Sequence, residues 1–146
     1  MYFVDRSKIE KILVYMDELL NETKDKPFDS KLEKLGVQRS TQMVIESIMD
    51  VGNMMIDGFI MRDPGSYHDI IDILIDERVL PAEDEASYKK VVDLRQVLVQ
   101  NYLEVDDELL KETMNEEKAT LANFSTHIRK YLTNELGVAN AFSKED

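Results

Sequence analysis

The sequence predicts a single all-α domain, built as an antiparallel bundle of five helices. Apolar residues recur at spacings of three and four along most of the 146-residue chain, as they do on one face of an amphipathic helix. No run of alternating β-branched residues bounded by turn residues indicates a strand. With 43% hydrophobic residues, the chain has enough apolar material for one core. We expect the domain to span residues 1–137 and a short C-terminal tail to span 138–146.

The first two helices are predicted from an apolar stripe and a capping pattern. The first helix runs from about Asp5 to Lys24. Its stripe comprises Ile9, Ile12, Leu13, Met16, Leu19 and Leu20. The second helix follows Ser30, because Ser30 and Glu33 have the spacing of a capping box, and it reaches about Ile60. Its middle is apolar on most sides, which is typical of a central helix packed by several others.

Three glycines interrupt this second helix. Gly36, Gly52 and Gly58 each weaken a helix by about 1 kcal/mol relative to alanine. Close approach of a neighbouring helix is one reason for such glycines, and simple flexibility is the alternative.

The three remaining helices begin at recognisable caps and turns. The segment 62–65 contains Pro-Gly and predicts a turn, after which Ser66 caps a short third helix. Pro81, followed by acidic residues, suits the first position of a fourth helix. A fifth helix is predicted over 106–136, with Gly137 at its C-terminal cap.

Charge and composition limit the classes of function. The net charge is −12, with 30 acidic and 18 basic residues, which argues against a broad nucleic-acid surface. Contact with RNA should therefore be local or completed by a second subunit, and the acidity itself is explained by solubility. The absence of cysteine excludes disulfides and thiolate metal sites. No apolar run is long enough for a signal peptide or a membrane span, so we expect a cytoplasmic location.

Two polar stripes stand out on the predicted helices. The second helix carries Arg39, Glu46, Asp50, Asn53 and Asp57 on one face. The fourth helix carries Tyr88, Val92, Arg95, Val99 and Tyr102 on one face. In a structural interpretation, Arg39 and Arg95 neutralise the carboxylates of Glu46 and Asp50 between packed helices, because buried charge requires a partner. In a functional interpretation, the same residues form a reactive cluster.

The segment 94–102 closely follows a known pattern of Arg, four residues, His, one residue and Tyr. Arg95 and Tyr102 occupy their places, but Gln100 stands at the His position. The chain resembles the HepT-like family of the HEPN superfamily over essentially its full length. It is particularly similar to a Bacillales subgroup that carries the run Met-Ile-Asp-Gly-Phe-Ile-Met-Arg-Asp-Pro-Gly-Ser-Tyr, present here at 55–67.

The resemblance implies an all-α bundle that forms a homodimer, with the motif helices near the dimer interface. Characterised members are toxins that cleave RNA without a metal or cofactor, and their partner is a minimal nucleotidyltransferase antitoxin. By position, Arg95 would stabilise phosphate charge, and Tyr102 would be the residue that the antitoxin modifies with AMP. The supporting polar cluster would comprise Arg39, Glu46, Asp50, Asn53 and Asn101.

Gln100 is the departure that matters chemically. An amide cannot exchange a proton near neutral pH as an imidazole does, and loss of general acid–base catalysis costs about 10²–10⁴-fold in rate. An amide can still donate a hydrogen bond to a phosphate. On a straight helix Gln100 lies about 140° from Arg95. A common site therefore requires the helix to end or bend near Gln100, as Asn101 suggests, or a second subunit to contribute.

Both histidines are expected to be ordinary surface residues. Arg62 and His68 satisfy a looser Arg–His spacing rule, but the segment between them crosses Pro64–Gly65 and does not align with the family motif. His127 lies beside basic residues on the fifth helix and is expected to face solvent.

Two alternatives to an endoribonuclease remain open. The first is a catalytically weak or inactive interaction protein that binds a nucleotide, RNA or a partner, because Gln100 replaces the motif histidine. The second is an all-α, magnesium-dependent nucleotide pyrophosphohydrolase. Its metal ligands would be Glu46, Asp50, Asp69, Asp72 and Asp76. The repeated Glu-x-x-Glu and Glu-x-x-Asp spacing usual in that class is missing.

Overall fold

The computed structural model describes residues 4–24 and 27–143, with side chains as far as Glu135. This part of the chain contains no strand and six α-helices, which confirms the all-α prediction. The helices are α1 (Arg6–Glu22), α2 (Lys31–Gly58), α3 (Tyr67–Asp76), α4 (Glu85–Val99), α5 (Asp107–Ala122) and α6 (Phe124–Ser143). Short 3-10 helices at Ala82–Asp84 and Tyr102–Glu104 lie on either side of α4. None of the described helices is long and apolar enough to cross a membrane.

The core is organised around α2, as its apolar middle predicts. This 28-residue helix packs against α1, α3, α4 and α5. Its buried apolar side chains are Val44, Ile45, Ile48, Met49, Val51, Met55 and Ile56. Since α3 and α4 contact each other as well as α2, both of these shorter helices are anchored on the central helix.

The predicted caps of α2 and α3 are confirmed. Ser30 Oγ accepts from Glu33 N at 3.1 Å, and Glu33 Oε1 accepts from Ser30 N at 3.0 Å, which completes a capping box. Ser66 Oγ accepts from Asp69 N at 3.0 Å and so begins α3. Both patterns are local in the sequence, which is why spacing alone was sufficient to predict them.

Three predicted boundaries are wrong. Pro81 precedes the 3-10 helix Ala82–Asp84, and α4 begins only after that helix. The predicted fifth helix is divided at Asn123, whose N–H donates to Thr120 O at 3.1 Å, three residues back instead of four. Gly137 is not a C-terminal cap, because α6 continues past it to Ser143. The last three residues of the predicted tail, 144–146, lie outside the described part of the chain.

Non-glycine residues in the left-handed region end α2 and α3. Ile60 has a φ of 54°, and the next residue, Met61, donates its N–H to Ile56 O at 2.9 Å. Arg78 has a φ of 61° in the equivalent position after α3. This geometry ordinarily favours glycine, and a β-branched residue such as Ile60 adopts it with strain. The tight ending of α2 directs the chain back toward α3.

Gly52 lies where α3 packs closely against α2. A Cβ atom at Gly52 would lie 2.7 Å from Ile70 Cγ2 and 3.4 Å from Leu74 Cδ1. At Gly36, by contrast, no side chain or neighbouring helix of the described ranges lies within 4 Å of such an atom. Close helix approach therefore explains Gly52 but not Gly36.

We expect Gly52→Ala to destabilise the protein by about 1–3 kcal/mol, because the branched side chain of Ile70 must shift to admit the methyl group. Gly36→Ala is the matched control in the same helix and should stabilise the protein by about 1 kcal/mol through higher helix propensity. Urea unfolding monitored by circular dichroism measures both changes. Similar effects of the two substitutions would contradict the close-packing explanation.

Candidate functional site

A groove of about 480 Å³ lies between the N-terminal turn of α3 and the second half of α4. It is lined by Ser66, Tyr67, His68, Val92, Asp93, Arg95, Gln96 and Gln100. The groove brings together Arg95 and Gln100, which the sequence motif places in one site. It also contains His68, which the motif does not include.

Arg95 is fixed on two sides within this groove. Its Nε donates to Glu46 Oε1 at 2.5 Å, so the predicted pairing of these two residues is confirmed. Its guanidinium carbon lies 4.9 Å from the centroid of the Tyr67 ring, in cation–π contact. The hydrogen bond to Glu46 raises the pKa of Arg95, which keeps the guanidinium charged.

The terminal nitrogens of Arg95 are left open. No hydrogen bond joins Nη1 or Nη2 to another residue in the described part of the chain. Arg62 and Arg129 differ, because each donates two nitrogens to one carboxylate, Asp69 and Glu10 respectively. Arg95 therefore presents a fixed positive charge with two NH₂ groups available to an anion such as a phosphate.

The end of α4 explains how Gln100 reaches the groove. The helix ends one residue before it, and the N–H groups of Gln100 and Asn101 both donate to Gln96 O, at 2.9 and 3.2 Å. The predicted ending near Gln100 is thus confirmed. Tyr102 follows on a 3-10 helix, is 65% exposed and does not line the groove. This chain alone therefore joins Arg95 to Gln100 but not to Tyr102.

Most of the predicted supporting cluster lies on a solvated face. Asp50, Asn53 and Asn101 are exposed, and so is Arg39. Arg39 donates to Gln42 on its own helix at 3.3 Å, so the expectation that it neutralises a carboxylate between packed helices is wrong. The helical period places the polar residues of α2 on the face that carries Glu46, which pairs with α4. It does not show how far along that face α4 extends.

His68, which the sequence analysis set aside as an ordinary surface residue, lines the groove. Its Nε2 lies 2.6 Å from Asp93 Oδ1, which joins α3 to α4, and its side chain is 45% exposed. The two residues are 25 positions apart, so no local spacing could indicate their contact. The available signals were the place of His68 in the first turn of α3 and the place of Asp93 two residues before Arg95.

The other histidine also differs from its prediction. His127 is only partly exposed, and its Nδ1 is buried without a hydrogen-bond partner among the described residues. The expectation that His127 faces solvent is therefore wrong. His127 is not among the residues that line the groove.

A set of polar contacts among Arg62, Gly65 and Asp69, called the clasp below, joins the turn 62–65 to the first turn of α3, where His68 lies. Arg62 Nη1 and Nη2 lie 2.8 and 2.9 Å from the two carboxylate oxygens of Asp69. Gly65 N donates to the same carboxylate at 2.8 Å. The hydrogen bond from Arg62, followed by that from Gly65, lowers the pKa of Asp69 to about 2. Arg62 is engaged by the Asp69 carboxylate and does not line the groove.

The proposed magnesium ligands do not converge. Glu46 pairs with Arg95, and Asp72 pairs with Lys89. Asp69 and Asp76 both pair with Arg62. Asp50 is exposed to solvent. Within the described ranges, no three His, Asp or Glu side chains are grouped as metal ligands. The side chains present therefore do not fit the metal centre of the pyrophosphohydrolase alternative.

Comparison with known proteins supports the resemblance seen in the sequence. The profile described as Ribonuclease HepT-like matches residues 9–128. A Bacillus subtilis (strain 168) protein named "Putative RNase YutE" is 46% identical over 143 residues, which covers 97% of this chain and 99% of that protein. A solved structure of YutE, described as a cytosolic protein of unknown function from Bacillus subtilis, superposes with a TM-score of 0.91 at 46% identity. That superposition covers 94% of this chain and 96% of the other.

We expect Asp69→Asn to lower the melting temperature at neutral pH, because it removes the ionised partner of Arg62. Since folding lowers the pKa of Asp69 from 3.8 to about 2, its contribution is fully present above pH 3.8 and is lost as the pH falls through 2. The difference between wild type and variant should therefore shrink as the pH falls from 4 toward 2. Melting followed by circular dichroism across this pH range measures it.

Asp63→Asn is the matched control for this experiment. Asp63 is exposed in the same turn and makes no hydrogen bond to another described residue. Its replacement should leave the melting temperature unchanged at every pH. A difference for Asp69→Asn that persists undiminished at pH 2 would contradict the ionic origin of the clasp.

Proposed function

The chain belongs to the HepT-like ribonuclease family, and from this premise we propose that it is a metal-independent endoribonuclease, the toxin of a cytoplasmic toxin–antitoxin pair. The observation that carries the proposal is the state of Arg95. One nitrogen is held by Glu46 and the guanidinium contacts the Tyr67 ring, while both terminal nitrogens are open to a groove.

This arrangement suits the charge that develops when a phosphodiester is cleaved. The non-bridging oxygens gain negative charge in the transition state, and a pre-positioned guanidinium stabilises that charge without reorganising. The groove also lies at the N-terminal turn of α3, where the helix dipole is positive. Arg95 is the residue that we assign to phosphate binding.

We propose that RNA is bound by a homodimer. With a net charge of −12, one subunit has little basic surface to offer a polyanion, so a second groove would add a second open guanidinium. Leu103 is 89% exposed on the 3-10 helix that follows the motif, which leaves apolar area for a second copy to cover.

The second candidate function is binding without cleavage. Gln100 favours it, because an amide at the motif position has no means of proton transfer. In that case the same groove would hold a nucleotide, RNA or a partner, with Arg95 as its anion contact. The two candidates differ in one measurable property, since only the nuclease consumes RNA.

Purified wild type should degrade total cellular RNA in excess chelator, and Arg95→Ala should lower the rate by about 10²–10³-fold through loss of phosphate stabilisation. Denaturing gels follow the reaction. Arg129→Ala is the matched control, because it breaks another Arg–carboxylate pair outside the groove and should cleave RNA normally. Cleavage that requires added magnesium, or that survives Arg95→Ala, would contradict the proposal. RNA binding without any cleavage would favour the second candidate.

We further propose that a minimal nucleotidyltransferase antitoxin transfers AMP to Tyr102. The phenol is 65% exposed on a short 3-10 helix, which makes it accessible to a second enzyme. With such an enzyme and ATP, mass spectrometry should detect an AMP adduct on wild type and none on Tyr102→Phe. Tyr15→Phe is the control, since Tyr15 is 42% exposed on α1 and should leave the adduct unchanged. An adduct on Tyr102→Phe would refute the assignment.

A further inference from the structure

His68 and Asp93 form a pair that the motif does not account for. His68 is the second residue of α3, and its Nε2 lies 2.6 Å from Asp93 Oδ1 on α4. A carboxylate in this position accepts a hydrogen bond from the ring and fixes its orientation and tautomer. With Nε2 engaged, Nδ1 is left to accept a proton. No hydrogen bond joins Nδ1 to another residue in the described part of the chain.

The imidazole shares its groove with Arg95. Tyr67, the preceding residue, lies under the Arg95 guanidinium, so one turn of α3 positions both the arginine and the imidazole. The remaining groove side chains are a hydroxyl, amides, a phenol, an aliphatic group and the Asp93 carboxylate. Among these side chains, an imidazole is the group suited to both accepting and donating a proton near neutral pH.

We propose that His68, oriented by Asp93, performs the proton transfer that the family pattern assigns to position 100; this inference rests on the proposed ribonuclease function. The motif histidine has been replaced by Gln100, and an imidazole from the adjoining helix enters the same groove. In this assignment His68 is a catalytic residue and Asp93 is a positioning residue. Gln100 contributes only hydrogen bonds to the phosphate.

The reaction step is a transesterification within RNA. The 2′-hydroxyl transfers its proton to Nδ1 of His68 as its oxygen attacks phosphorus and forms the P–O2′ bond. The P–O5′ bond breaks, and its electron pair remains on O5′, which takes a proton from water. The imidazolium then returns its proton to solvent, so charge and atoms balance. The products are a 2′,3′-cyclic phosphate and a 5′-hydroxyl, and the open NH₂ groups of Arg95 hold the non-bridging oxygens.

The test measures cleavage and binding separately. Cleavage of a 5′-labelled, mixed-sequence single-stranded RNA is followed in chelator, and binding is measured with its 2′-O-methyl analogue, which cannot be cleaved. His68→Gln should lower kcat by about 10²–10⁴-fold and leave binding unchanged. Asp93→Asn should also lower kcat without weakening binding, because it releases the ring without removing it. His127→Gln, which changes the other histidine of the chain, should have no effect on kcat.

Two rescue experiments separate proton transfer from a folding defect. Added imidazole should partly restore cleavage by His68→Ala but not by Arg95→Ala. The double variant His68→Gln/Gln100→His should regain much of the lost rate, because it returns the imidazole to the motif position in the same groove. Cleavage by His68→Gln at the wild-type rate would overturn the role of His68 and leave the nuclease intact. Loss of binding in parallel with cleavage would also overturn it. No cleavage by wild type would overturn both proposals together.

Discussion

The hydrogen-bonded ion pair between Arg95 and Glu46 is the interaction on which the groove depends. It ties α4 to the central helix α2, where both side chains are about three-quarters buried, with 23% and 25% exposed. Charges at that depth require a partner, because desolvation is costly. A single Nε contact meets this requirement for Glu46 while leaving the rest of the guanidinium fork unused. A two-nitrogen contact, like that of Arg129 with Glu10, would also join two helices but would occupy the fork.

The ion pair at the start of α3 helps to hold that part of the helix, and its charged side chains, Arg62 and Asp69, do not line the groove. The clasp of Arg62, Gly65 and Asp69 fixes the first turn of α3, and none of these three residues lines the groove. Tyr67 and His68 then face α4, where they contact Arg95 and Asp93. Gly52 allows α3 to approach α2 closely enough for this to occur. The close packing of α3 on α2 and the ion pair of the clasp thus both help to position Tyr67 and His68.

Local features of the fold could be predicted from the sequence, and features that depend on helix rotation could not. The caps at Ser30 and Ser66 are contacts between residues three apart, so spacing specifies them. Whether Arg39 meets a carboxylate of another helix, and which residue pairs with His68, depend on where neighbouring helices end and how they are rotated, which periodicity does not encode. The interruption at Asn123 involves one shifted hydrogen bond, and an asparagine within an otherwise helical pattern is a weak signal for it.

A groove between two helices also changes how the missing motif histidine should be interpreted. A proton-transfer group must lie within hydrogen-bond reach of the reacting hydroxyl, and either wall of the groove can supply it. Position 100 on one wall and position 68 on the other line the same cavity. Under the proposed mechanism, glutamine at position 100 does not remove proton transfer from the groove, because the Asp93 carboxylate orients the His68 imidazole on the opposite wall. Arg95 has no equivalent position on the other wall, since its placement depends both on Glu46 in α2 and on Tyr67 in α3.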